Sequence, residues 1–469
     1  MSYCCEDFSV LLYGKPVNLV LMQHQHSADT KKTADGLFVK NGVNYLVPFI
    51  MITTCFAMWG FANDVTNPMV QSFGKIFQIS KFESSFVQVA FYLGYFVMAF
   101  PASLFIQRYS YKSGVLTGLA LYAIGALAFI PAKSMGVFWA FLPAYFVMTC
   151  GLSFLETSCN PFVYCMGSDR TATRRLNLAQ AFNPLGAIMG AYVALTYVST
   201  SLNPASDETR HQLLLSAPQQ FEMIKTHDLD VLVQPYVYVG LVILALLVAI
   251  FLTKMPSVGD DGEKKSLLTA IRQLSHQRNY CYGVVAQFFY IGAQTVCWAY
   301  IIYYGLHVFH DGEGMDEQVA HALTTNCYLL ALVLFAVGRF VCTYYLKFVD
   351  AGRLLFILAV AAIVLLSCAI FVGGRIGLGC LVAVSGCMSL MFPTIYGIAL
   401  NGLKDNVKFG GAGLVMSILG GSVIPPVQAA IMDIGGQWHG LSVLNLSFFV
   451  PLVCFLVVAW YGNQNKQIK

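Results

Sequence analysis

Residues 136–166 read GVFWAFLPAYFVMTCGLSFLETSCNPFVYCM, and their single charged side chain is Glu156. A stretch of this length is enough to cross a hydrocarbon layer as a helix, which takes roughly 20 apolar residues. An ionised carboxylate is costly in that layer, and acids kept there almost always face a cavity, a partner or a proton path. The stretch therefore predicts a spanning helix that keeps Glu156 for a purpose, with a structural salt bridge or a helix-end position as the plainer readings.

Working outward, the rest of the chain agrees. Of its 469 residues 57% are hydrophobic and only 11% charged, with a mean hydropathy of +0.66, where soluble domains carry about 25% charged residues. Apolar runs recur twelve times, among them 44–69, 136–164, 174–199 and 234–253. Polar segments at 200–231 and 254–278 interrupt them, the second containing GDDGEKK. The expected fold is an all-α membrane protein of twelve transmembrane helices in two pseudo-symmetric six-helix bundles.

Lys and Arg set the orientation, because cytoplasmic loops are enriched in them. With the N-terminus inside, twenty basic residues fall on the inner side against six outside, namely Lys75, Lys81, Lys133, Arg210, Lys225 and Arg375. Both termini are therefore expected to be cytoplasmic, in the cytoplasmic (inner) membrane. The division is a tail (1–43), a bundle (44–253), a linker (254–278), a second bundle (279–461) and a short tail (462–469). No cleavable signal is expected in the tail, and Met22 is an alternative start. In the linker, SLLTAIRQL places Leu267, Leu268, Ile271 and Leu274 on one side, as in a helix lying on the membrane surface. The halves share traces of a repeat: GYFV at 94–97 against GRFV at 338–341, and PFVY at 161–164 against PTIY at 393–396. Repeated halves around a midplane site are the usual plan of secondary transporters.

The net charge of +4 argues for no nucleic-acid partner, and no nucleophile set, phosphate loop or metal-ligand spacing is visible. No catalytic residue, metal or cofactor is expected, so the chain is read as a non-enzyme and as a monomer. Candidate site residues are the polar groups inside the spans. Glu156 and Asp64, the latter in WGFANDVTNP (59–68), are candidates for carrying a coupling proton. Asn177, Gln180 and Asn183 recur every third residue, which puts three amides on one helix face. They suit an uncharged polyhydroxylated substrate, or serve as glue between helices. Asn67, Asn160, Gln294 and Trp298 complete the substrate candidates, the last two four residues apart and so on one face. Gln287 is a further neutral group. Arg339 reads either as the partner of a carboxylate or as an anchor near a span end.

These stretches together resemble a family. WGFANDVTNP (59–68), FYLGYFVMAFPA (91–102), SYKSGVLTGLALYAIGA (110–126), GLSFLETSCNPF (151–162), RRLNLAQAFNPLGA (174–187), FFYIGAQTVCW (288–298) and FPTIYGIALNGL (392–403) are similar to the L-fucose/proton symporter branch of the major facilitator superfamily. The resemblance covers nearly the whole chain beyond residue 44. It implies a two-domain carrier alternating between outward-open and inward-open states. It places the LETxxNP carboxylate of proton-coupled transport on Glu156, and the family's amides on Gln180 and Asn183. The family's first-helix aspartate aligns with Asn67, while the acid here, Asp64, stands one turn earlier. The superfamily's glycine–acid–arginine signature after the second helix is absent, and QRYSYKSG (107–114) stands in its place. The expected function is proton-coupled uptake of a monosaccharide, L-fucose first, with the lipid bilayer as surroundings. Alternatives are another sugar (galactose, glucose or an amino sugar), a facilitator, or a sugar sensor that moves nothing.

Overall fold

A chain in hydrocarbon has no water to satisfy its backbone, so each crossing must bond its own N–H and C=O groups. Twelve helical crossings do this, at Leu46–Phe77, Phe86–Arg108, Tyr111–Met135, Phe138–Cys165, 172–198, Pro218–Leu252, Arg278–Gly312, Glu317–Tyr345, Ala351–Phe371, Gly374–Leu400, Val407–Met432 and Val443–Gln464. They are called the first to twelfth spans below. The structure, a computed structural model, describes residues 36–40, 43–79, 83, 86–198, 201–255, 266–403, 406–438 and 440–466. Within these, the side chains at 63, 66–71, 88, 195, 196, 207, 267 and 317 lie outside the description. Met22 and the GDDGEKK stretch lie outside the described residues.

Among the described residues, ten of the spans are long and apolar enough to cross a membrane by length and composition alone. The other two, the first and fifth, contain residues whose side chains lie outside the description; in sequence the first carries ANDVTN (62–67) and the fifth RRLNLAQ (174–180). They are the spans that carry the acid–amide cluster and the amide stripe. With an even number of crossings, the start of the first span and the end of the twelfth share one side, called here the terminal face; the other is the far face.

Packing repeats between the halves. Gly94 of the second span lies so close to the fourth that a Cβ there would stand 2.1 Å from Thr149 Oγ1. Gly338 of the eighth span meets the tenth in the same way, at 2.9 Å from Ser389 Oγ. The first and fifth spans likewise approach backbone to backbone: a Cβ on Gly186 would sit 1.8 Å from the Ala57 carbonyl. The seventh and eleventh match them at Gly420, where a Cβ would sit 2.0 Å from the Phe288 carbonyl. Small residues allow such approach where no hydrophobic force between helices exists.

The sixth span differs from its expected start at 234. Its helix begins at Pro218 and continues for 35 residues, about 52 Å at 1.5 Å per residue, against a hydrocarbon thickness of ~30 Å. Its first turns stand beyond the far face and pack on a short helix, Asp207–Ser216. The two are stapled by a buried ion pair, Arg210 Nη2 to Asp228 Oδ2 at 2.6 Å, both side chains fully shielded. Asp228 Oδ1 also accepts the Asn203 N–H at 2.8 Å.

In the linker, the helix Leu267–Ser275 is capped by Ser266, whose hydroxyl accepts the Thr269 N–H. Ala270 and Leu274 are buried while Leu268 is 81% exposed. The helix thus docks by one edge and turns Leu268 and Ile271 outward.

The bundles meet near the terminal face. The Lys408 ammonium of the eleventh span sits 5.0 Å over the Tyr111 ring of the third, and that ring stacks on Phe162 of the fourth at 5.4 Å. Asn177 of the fifth span donates to Thr394 Oγ1 of the tenth at 3.1 Å. Arg175, fully buried, binds the carbonyls of Val163 and Tyr164 at the end of the fourth span and of Leu37 in the segment before the first.

Candidate functional site

Glu156 stands in the middle of the fourth span, 5% exposed, and its Oε2 has no hydrogen-bond partner among the described residues. It lies within electrostatic reach of Tyr95 on the second span and of Tyr396 on the tenth, in the other bundle. Both of those hydroxyls are also buried without a partner among the described residues. Three unbonded oxygens are thus buried near the seam, two in the first bundle and one in the second. Buried polar groups are almost always bonded, so a group of orphans marks a place built for something other than packing. Tyr396 is a residue that sequence reasoning missed, although the PFVY/PTIY repeat pointed at its position.

Asn160, one turn beyond Glu156, accepts the Gln180 amide Nε2 at 2.7 Å and keeps its own Nδ2 unpartnered. This pair ties the fifth span to the fourth beside the acid. The three amides of the fifth span do not act as one stripe. The helix ends at Gln180 and restarts at Asn183, because Pro184 has no N–H for the carbonyl four residues back. Asn177 reaches Thr394 in the other bundle, Gln180 reaches Asn160, and Asn183 donates to the Phe56 carbonyl of the first span at 3.1 Å.

Asp64 is half-buried in the first span, within electrostatic reach of Tyr92 on the second span and Tyr328 on the eighth. The side chain of Asn67 lies outside the described residues. On the seventh span Gln294 is half-buried. Trp298, one turn on, donates from Nε1 to Ser385 Oγ at 3.2 Å and lies edge-on to Phe335 at 4.9 Å. Gln287 is fully buried with neither amide atom partnered among the described residues. Arg339 fits neither expected role: it binds two main-chain carbonyls, of Ser389 and of Gln180.

Two six-helix bundles with unpaired polar groups buried at their seam make up a membrane carrier of the alternating-access class, whose site is enclosed by repeats rather than by a loop. The description of the Major Facilitator Superfamily matches residues 50–416. The chain belongs to that superfamily, in the branch of the L-fucose–proton symporters. It is 44% identical to the L-fucose-proton symporter of Haemophilus influenzae over 422 residues, which is 89% of this chain and 96% of that one. It is 32% identical to the L-fucose-proton symporter of Escherichia coli over 429 residues, 90% of this chain and 94% of the relative. The crystal structure of the E. coli fucose:proton symporter superposes with a TM-score of 0.80 at 31% identity, covering 90% of this chain and 100% of that one. A glucose/galactose transporter of Brucella abortus is 29% identical over 421 residues, 89% of this chain and 94% of the relative. These relatives are transporters, not enzymes.

Proposed function

We propose that this chain carries L-fucose inward together with protons across the cytoplasmic membrane, with both termini on the cytoplasmic side. The observation that carries the reading is Glu156, buried and unpartnered at the seam, in a chain of this branch. A bare carboxylate there is an unpaired charge in a low dielectric, which is strongly unfavourable. The proposed cycle closes only when Glu156 holds a proton and a sugar fills the orphaned donors and acceptors around it. Water reaching the site from the inner side then takes the proton and frees the sugar. Asp64 is the second proposed proton carrier.

Gln180, Asn160 and Asn183, with Asn177, Asn67, Gln294 and Trp298, are the proposed sugar-binding groups. The free Asn160 Nδ2 supplies a donor for a hydroxyl, and the exposed part of the Trp298 ring supplies a cover for a C–H face. In this reading the residues 254–278 link two bundles that move as bodies, and the chain works as a monomer in the bilayer without nucleic acid.

The test is uptake of labelled L-fucose into proteoliposomes with an imposed inward proton gradient, wild type beside Glu156→Gln. The expected result is accumulation by the wild type, and sugar exchange without accumulation by the variant. Equal accumulation by both proteins removes Glu156 from coupling and moves the role to Asp64. Uptake of glucose or galactose in place of fucose replaces the substrate.

A further inference from the structure

Arg339 lies in the eighth span, 3% exposed, and no ion pair among the described residues includes it. Its Nε donates to the Ser389 carbonyl of the tenth span, and its Nη1 to the Gln180 carbonyl of the fifth at 3.0 Å. Its guanidinium also lies 4.5 Å over the Phe335 ring, one turn away on its own helix. The two carbonyls share a feature: each stands four residues before a proline, Pro393 and Pro184. A helical carbonyl is ordinarily taken by the N–H four residues on, and proline has none to give. In a membrane such a freed carbonyl must find another donor or remain at high cost. One forked guanidinium replaces both missing donors, one in each bundle. Arginine suits this because its planar fork presents several donors at fixed angles and cannot lose its charge.

We propose that Arg339 is the positioning residue that ties the two bundles at the level of the site, and that release of the Gln180 carbonyl is a step of every opening of the terminal face. The Ser389 contact stays within Arg339's own bundle and holds the guanidinium aimed. The Gln180 contact crosses the seam, and the side chain of the same Gln180 holds Asn160 on the helix of Glu156. Opening the seam therefore disturbs the residue that sits beside the acid, which links bundle motion to the site without any contact between Arg339 and a ligand. The proposal rests on the transport reading above, but its test needs no sugar.

The test is hydrogen–deuterium exchange of the full chain in lipid nanodiscs, read in the segments 391–400 and 407–416 of the second bundle. Pro184→Ala gives the Gln180 carbonyl a donor in its own helix. It is expected to speed exchange in those two segments while slowing it around residue 184. Arg339→Met is expected to speed exchange in them about tenfold, the scale of a lost charged hydrogen bond, with Arg339→Lys in between. The diagnostic is the combination. Once Arg339 is Met, adding Pro184→Ala is expected to produce no further rise in the second bundle. An equal rise in both backgrounds, or none in either, overturns the proposal. Where Arg339→Met fails to fold, the same cycle is run with Arg339→Lys, in which Pro184→Ala is expected to add a smaller rise than in the wild-type background, an equal rise overturning the proposal. Absence of fucose transport would leave these exchange results standing and sink only the substrate.

Discussion

At the scale of single residues, the difference between what a side chain is and where it goes decides how much could be read in advance. Glu156 was legible because one charge in a long apolar run has few bland explanations. The amides of the fifth span were legible as polar groups inside the membrane, but their destinations were not, because Pro184 divides the helix and sends each to a different neighbour. Arg339 was opaque for a similar reason: its two acceptors lie 50 and 159 residues away in sequence. Gln180→Ala is expected to weaken sugar binding about tenfold, since it leaves the Asn160 carbonyl oxygen unpaired in the seam; a titration of sugar against the purified protein checks this. At the far face, the bidentate Arg375 guanidinium holds the Glu313 carboxyl below its ordinary range. A depressed acid contributes its stability above its unfolded value, near 4.3, and loses it as pH falls through the lower folded value. The melting difference between wild type and Glu313→Gln is thus expected to be small at neutral pH, where the pair is exposed, and to vanish in strong acid.

At the scale of elements, apolar runs located eleven spans to within a few residues at most ends, because the demand for intrahelical bonding leaves little choice of structure. Three ends departed further: the first span runs on past 69 to Phe77, the sixth begins at Pro218 rather than 234, and the seventh continues past 306 to Gly312. These extensions mix charged, amide or imidazole side chains with apolar ones, so hydropathy does not mark their ends. The sixth is held by the Arg210–Asp228 pair, whose partners lie 18 residues apart on different helices. Removing one member of a buried pair strands the other charge. Asp228→Asn is expected to lower stability by about 3 kcal/mol or more, while Arg210→Met with Asp228→Leu costs less than the single change. Thermal unfolding of the three proteins in one detergent distinguishes these outcomes.

At the scale of the whole molecule, the twofold plan was visible as short repeats around Gly94 and Gly338, and the structure gives them the same packing role. The seam was not visible, since it is formed by contacts between halves that share no local pattern. Lys408, Tyr111 and Phe162 form one such contact, standing where the superfamily's usual signature after the second helix is absent. A cation over a desolvated ring is worth up to about 2 kcal/mol. Tyr111→Leu is therefore expected to favour opening of the terminal face and to raise labelling of a cysteine placed at Thr173 by a reagent added from that side. Unchanged labelling would show that Asn177–Thr394 and Arg339 suffice to hold it shut.

The close approach of the first and fifth spans bears on how the protein is made. Both carry polar residues within the crossing, Asn63, Asp64 and Asn67 in the first and Asn177, Gln180 and Asn183 in the fifth, and Asn183 donates to the Phe56 carbonyl. During synthesis the first span emerges more than a hundred residues before its partner exists. Its Asn63–Asn67 portion is polar, so the first span is expected to reach its final depth only once the fifth span has left the ribosome. Biogenesis of the first bundle is then expected to run out of chain order, with its opening helix among the last to settle.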